Sequence, residues 1–192
     1  MKRLSMFFAL VLLLTVGANA QEFKKFRLAT GLGYAMAGGE GASGGILYAI
    51  EPGYRVSDNL AVSLRMEWAV VVRGLSESVA SYDASAAAIS SYTVNGIYYL
   101  SNNNFRPYVG AGLGLFPLGA VSASSTGTAG AAAETKFGFY PRIGFDLGHF
   151  NVNLDYNIIG STKFEGPGAN GLESKNSYIG IRIGGFFFGG RK

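Results

Sequence analysis

Leu60-Ala61-Val62-Ser63-Leu64-Arg65-Met66-Glu67-Trp68-Ala69-Val70-Val71-Val72 sets Leu60, Val62, Leu64, Met66, Trp68, Val70 and Val72 on one side of an extended chain. Ala61, Ser63, Arg65 and Glu67 fall on the other side, and Arg73 continues that row. Successive side chains of a strand point to opposite faces, so this period of two makes a strand with one wholly apolar face. A soluble barrel would turn that face inward and its charges out to water. Here the opposing face is small, polar and charged, which suits a strand whose apolar side meets lipid. Lipid cannot satisfy backbone N–H and C=O groups, and a sheet satisfies them internally only by closing on itself.

The same period recurs on both sides of this stretch. Residues 26–37 set Phe26, Leu28, Thr30, Leu32, Tyr34 and Met36 against Arg27, Ala29, Gly31, Gly33 and Ala35. Residues 45–56 set Ile46, Tyr48, Ile50, Pro52, Tyr54 and Val56 against Ala49, Glu51, Gly53 and Arg55. The weakest pattern, 88–100, has Tyr92, Val94, Tyr98 and Leu100 outward and Thr93, Asn95 and Tyr99 inward. Stretches 105–116, 135–147, 150–160 and 176–188 complete the set, with Tyr108, Tyr140, Arg142, Asp146, Asn151, Asn153, Asp155, Asn157, Tyr178 and Arg182 inward. Short polar turns at 57–59, 101–104 and 148–149 alternate with longer stretches at 38–44, 74–86, 119–134 and 161–175. Eight strands with alternating connection lengths predict an all-β, eight-stranded antiparallel up-and-down transmembrane β-barrel. The inward glycines suit its narrow interior.

Counting outward from a tight turn fixes which residues face each other. Around Asp58 it places Glu51 opposite Arg65, and around Gly148-His149 it places Arg142 opposite Asp155. Both pairs are inward and opposite in charge. Glu67 and Arg182 fall close by, so Glu51, Arg65, Glu67, Arg142, Asp155 and Arg182 are expected to form a layer of ion pairs in the lumen. Paired charges are what a poorly solvated interior demands. A plugging role outweighs a gate for ions, because eight strands leave no open channel. Outward Tyr48, Tyr54, Trp68, Tyr98, Phe137, Phe150 and Tyr156 are expected to form aromatic girdles at the membrane interfaces.

The chain begins with Lys2 and Arg3, an apolar run over 6–16, and Ala18-Asn19-Ala20, the pattern of a cleavable export signal. Cleavage after Ala20 leaves residues 21–192 as one barrel domain, with 14 basic residues against 12 acidic. That balance carries no nucleic-acid footprint. The chain has no cysteine and a single histidine, His149, so disulfides, thiol chemistry, histidine-rich metal sites and a bound cofactor are not expected.

Arg106-Pro107-Tyr108-Val109-Gly110-Ala111-Gly112-Leu113-Gly114 resembles a strand motif of small outer-membrane β-barrels related to the outer-membrane protein A transmembrane domain. Pro141-Arg142-Ile143-Gly144-Phe145-Asp146 and Tyr178-Ile179-Gly180-Ile181-Arg182-Ile183-Gly184 are similar to later strands of that family. The resemblance implies a barrel in the outer membrane of a Gram-negative bacterium, both ends periplasmic, inserted by the barrel assembly machinery. That machinery reads a last strand of alternating apolar residues closing on an aromatic, here Tyr178, Ile179, Ile181, Ile183, Phe186 and Phe188. The chain departs from the pattern by continuing to Lys192.

The leading reading is a structural or surface-interacting barrel. It is expected to be a monomer bathed in outer-membrane lipid, with loops open to an extracellular ligand. A narrow pore or small-solute path is the alternative. A lipid-modifying enzyme is weakest: nucleophilic catalysis needs a base beside the nucleophile, and His149 lies in a short turn away from the outer leaflet. No catalytic residue is assigned.

Overall fold

The computed structural model describes residues 22–39, 42–72, 83–84, 86–119, 121–125, 127–131, 133–163 and 173–191. The expected export signal, residues 1–20, and Arg73 lie outside them. Eight strands carry the alternation: β1 (Phe26–Ala37), β2 (Gly45–Arg55), β3 (Leu60–Val72), β4 (Ala86–Tyr99), β5 (Phe105–Leu118), β6 (Glu134–Leu147), β7 (Phe150–Ile159) and β8 (Tyr178–Phe188). Each pairs antiparallel with its chain neighbours, and β8 pairs with β1 to close the barrel.

Register sets the shape. Followed around the wall, Phe26 faces Tyr54, then Val62, Gly96, Ala111 and Pro141. The path continues at the level of Tyr156 to Ile179 and returns to β1 at Met36, ten residues beyond its start. Eight strands with a stagger of ten tilt by about 40° and enclose a bore that side chains fill. The ladder is complete on both sides of β8, so no sheet edge is left to meet lipid.

The outer face is apolar as the alternation predicts. Leu32, Ile46, Leu64, Val70, Leu113, Phe137, Ile143 and Ile183 are each more than half exposed. The interior is layered. Near the long connections Leu47, Val71, Ile89, Phe116, Leu118 and Ile159 pack inward with Tyr140 and Tyr178. Charged and amide side chains fill the middle, and Ala61, Ile97, Tyr99 and Tyr108 cluster near the short turns. The apolar layer departs from an interior of small and polar residues. It occupies the depth where the bore nears the long connections, and burying it removes apolar area from water at about 25 cal/mol per Å².

The stretch expected as loop 119–134 is a hairpin, Val121–Ser125 against Gly127–Ala131, and Asp83–Ala84 joins it as a third strand. Thr162–Lys163 pairs with Glu173–Ser174 in the next long connection. Small Gly, Ala, Ser and Thr side chains give no apolar period to read. Their backbone groups still need partners, and a ladder supplies them.

Candidate functional site in the barrel lumen

The wall register places Glu51 (β2) opposite Arg65 (β3), between the pairs Ile50–Met66 and Gly53–Ser63. Arg142 (β6) and Asp155 (β7) are paired directly. The charged tips nevertheless choose partners across the bore. Arg142 Nη1 donates to both Glu51 carboxylate oxygens at 2.9 and 2.8 Å. Arg65 Nη1 donates to Asp155 at 2.7 Å, and Arg65 Nη2 to Asn157 at 2.8 Å. Strands β2 and β6 are four apart around an eight-strand ring, as are β3 and β7, so both bonds span its full diameter. The expected neighbour pairs are thus exchanged for diametric ones. A tight bore brings opposite walls within the reach of an arginine side chain.

The remaining charges interlock with these. Arg182 contacts Glu67 and Asp155, and its Nε donates to Asn153 at 2.8 Å. Tyr178 donates its hydroxyl proton to Glu67 at 2.6 Å. Ser63 donates to Glu51 at 2.7 Å, Asn95 donates to Ser63, and the Tyr140 hydroxyl bonds Asn95. The Arg65 guanidinium lies 3.8 Å from the centre of the Tyr140 ring. Buried charge is costly unless paired and hydrogen-bonded, and here each carboxylate has at least two donors.

A second cluster lies nearer the short turns. Arg27 donates to Asp146 at 2.8 and 3.0 Å and also contacts the Tyr99 hydroxyl. Asn151 donates to Asp146 at 2.6 Å, and Tyr99 donates to it at 3.1 Å. The alternation marks Arg27, Arg55 and Asp146 as inward, but no local spacing joins β1 to β6. Below this cluster, Arg55 and Arg106 stack on the rings of Phe23 and Tyr99.

The girdle residues all project outward. Tyr48, Trp68, Phe137 and Tyr156 stand toward the long connections, and Tyr54, Tyr98 and Phe150 stand toward the short turns. Tyr48 and Trp68 face each other on adjacent strands with rings stacked 6.1 Å apart.

The closing strand spreads the assembly-signal residues over both faces, with Tyr178 inward. Ile179, Ile181 and Ile183 are outward, but Phe186 is buried, with Arg27 4.1 Å over its ring. The outward aromatic in phase with the isoleucines is Phe187, at 62% exposure. Phe188 is also exposed, at a backbone φ of 60° where the strand ends. Even-numbered residues of β8 point inward from Tyr178 to Phe186, so position 186 cannot share a face with Ile183. His149 sits in the turn between β6 and β7 with its ring 5.2 Å from that of Phe186. Among the described residues, no group of three or more histidine and carboxylate side chains is placed to hold a metal ion.

Residues 6–184 match the family described as outer membrane protein beta-barrel domain. Neisserial surface protein A shares the fold at 20% identity, covering 84% of this chain and 94% of that one, with a TM-score of 0.52. The N-terminal barrel domain of Pseudomonas aeruginosa OprF aligns at 16% identity over 86% and 99% of the two chains, TM-score 0.48. Pseudomonas aeruginosa OprG aligns at 14% identity over 88% and 98%, TM-score 0.47. No curated protein matches the chain in sequence.

Proposed function

This chain belongs to the outer membrane protein β-barrel domain family and is an outer-membrane protein, and from that premise we propose that it is a plugged barrel whose work is structural or surface-interactive. The observation that carries this reading is the pair of diametric ion pairs, Glu51–Arg142 and Arg65–Asp155. With the apolar layer above them, they leave the middle of the bore filled with bonded side chains. Moving a hydrated ion past them would require breaking charge-assisted bonds away from bulk water.

In this reading the short turns face the periplasm and the long connections face outside, where they are open to an extracellular ligand. The outward aromatics sit at the two interfaces. The barrel assembly machinery reads the row Ile179, Ile181, Ile183 and Phe187.

Single-channel recording of the refolded protein in a planar bilayer tests the plug, alongside Glu51→Ala and Arg142→Ala. A silent wild type supports it. Discrete wild-type openings that enlarge in either variant would make the ion-pair layer a gate and transport the better reading.

A further inference from the structure

Among the described residues, six arginines meet four carboxylates inside the barrel. Arg27, Arg65, Arg142 and Arg182 are each bonded to Glu51, Glu67, Asp146 or Asp155. The other two, Arg55 and Arg106, touch no carboxylate among the described residues, although they are only 1% and 3% exposed. Both line a cavity of about 310 Å³ at the short-turn mouth, with Phe23, Asn103, Asn104, His149, Phe186 and Arg191 among its other walls.

The two guanidinium groups are held rather than loose. Arg106 lies between two rings, 3.7 Å from the centre of Phe23 and 4.1 Å from that of Tyr99. Its Nε donates to the Ser101 carbonyl at 3.2 Å, and Nη2 donates to Asn102 Oδ1 at 3.0 Å and to the Asp58 carbonyl. That leaves Nη1 with no partner. Arg55 stacks on the same two rings at 4.9 and 5.0 Å, and its Nε and Nη1 are likewise unpartnered. The Asp58 carboxylate is taken up by the backbone N–H groups of Glu22 and Phe23, both at 3.1 Å. Two buried positive charges with three idle nitrogens are a standing cost unless something negative shares the space.

We propose that this mouth cavity is a binding site for a phosphate group, with Arg55 and Arg106 as its paired cationic ligands. Two guanidinium groups match a dianion in charge, and their planar forks match phosphate oxygens in geometry. Asn103 and Asn104 stand at the wall as additional amide donors. Phe23 covers the arginines, so it is the side chain that must move aside as the anion enters. The site is separate from the diametric ion pairs and does not depend on the lumen being plugged. Either a free phosphate or a lipid headgroup at that end of the barrel would present this chemistry.

The test uses the refolded full barrel in a phosphate-free, uncharged detergent, followed by NMR of the arginine side-chain Nε–H signals during titration with inorganic phosphate. The expected result is a saturable one-site shift of the Arg55 and Arg106 signals. Chloride should not reproduce it, and calorimetry should show at least a tenfold loss of affinity in Arg55→Gln or Arg106→Gln. Lys136→Gln, at the opposite mouth of the barrel, serves as the control and should bind as the wild type does. Heat-modifiable migration on a gel shows that each variant is folded. A second arm compares nanodiscs of phosphatidylglycerol with the uncharged detergent. Signals already shifted in the nanodisc and indifferent to added phosphate would identify the headgroup as the source and uphold the site. Shifts that chloride matches, affinity unchanged in both arginine variants, or no response in either arm would overturn the proposal.

Discussion

Glu51 and Arg142 lie on strands half a turn of the barrel apart, and one guanidinium nitrogen of Arg142 reaches both oxygens of the Glu51 carboxylate. The bond is a strut across the bore. It ties walls that the backbone ladder connects only by going around through three other strands.

Removing one end of the strut leaves a buried charge with no counter-charge. Glu51→Gln should lower stability by about 3–5 kcal/mol, read by reversible urea unfolding in lipid vesicles. The double variant Glu51→Gln with Arg142→Met should lose less than the sum of the single changes, because no orphan charge remains. Strict additivity would mean that the pair is not coupled.

Two glycines separate steric from conformational demand. Gly112 faces Tyr140 on β6, and a Cβ there would fall within the Tyr140 ring edge and against Asn95. Gly112→Ala should cost about 1–3 kcal/mol, and pairing it with Tyr140→Leu should recover part of the loss. Gly148, at φ +60° in the turn, has open space around it. Gly148→Ala should cost about 1 kcal/mol from backbone strain alone, with no side-chain change able to rescue it. Unfolding midpoints of the three variants check both.

Phe116 is fully buried in the apolar layer, against the space left by Gly138. Phe116→Ala should destabilise by about 3–5 kcal/mol through lost burial and the cavity left behind. A loss below 1 kcal/mol would show that the layer is loosely packed.

Phe186 and Phe187 should separate folding from recognition. Phe187→Ala removes the outward aromatic in phase with Ile183 and should slow insertion catalysed by the assembly machinery severalfold, while leaving the stability of the folded barrel within about 0.5 kcal/mol. Phe186→Ala removes a ring that packs under Arg27 and should lower stability instead. Insertion time courses and unfolding midpoints on the same two proteins decide between them.

The strand pattern was legible because it is local. A residue two positions along a strand returns to the same face whatever the rest of the chain does, so Phe26–Ala37 and Leu60–Val72 could be read to their ends. Register across a tight turn is nearly as local, which is why Arg142 and Asp155 were placed side by side. The hairpin at Val121–Ser125 was illegible because its small side chains give no contrast between faces. The closing-aromatic motif names Phe186 and Phe188 without a face, and it is the count in steps of two from Tyr178 that puts Phe186 inward.

The amino-acid sequence by itself therefore determined the two-residue period, the lipid-facing side of each strand, the positions of the turns and the membership of the inward set. Only the tertiary structure decided who bonds whom inside. Closure with a stagger of ten brings Glu51 to Arg142 and Arg65 to Asp155 across the bore. It also gathers Phe23, Arg55 and Arg106 at one mouth from separate segments of the chain. The reason is geometric: distance across a lumen depends on the curvature and shear of the whole closed sheet, and no short stretch of sequence carries either quantity.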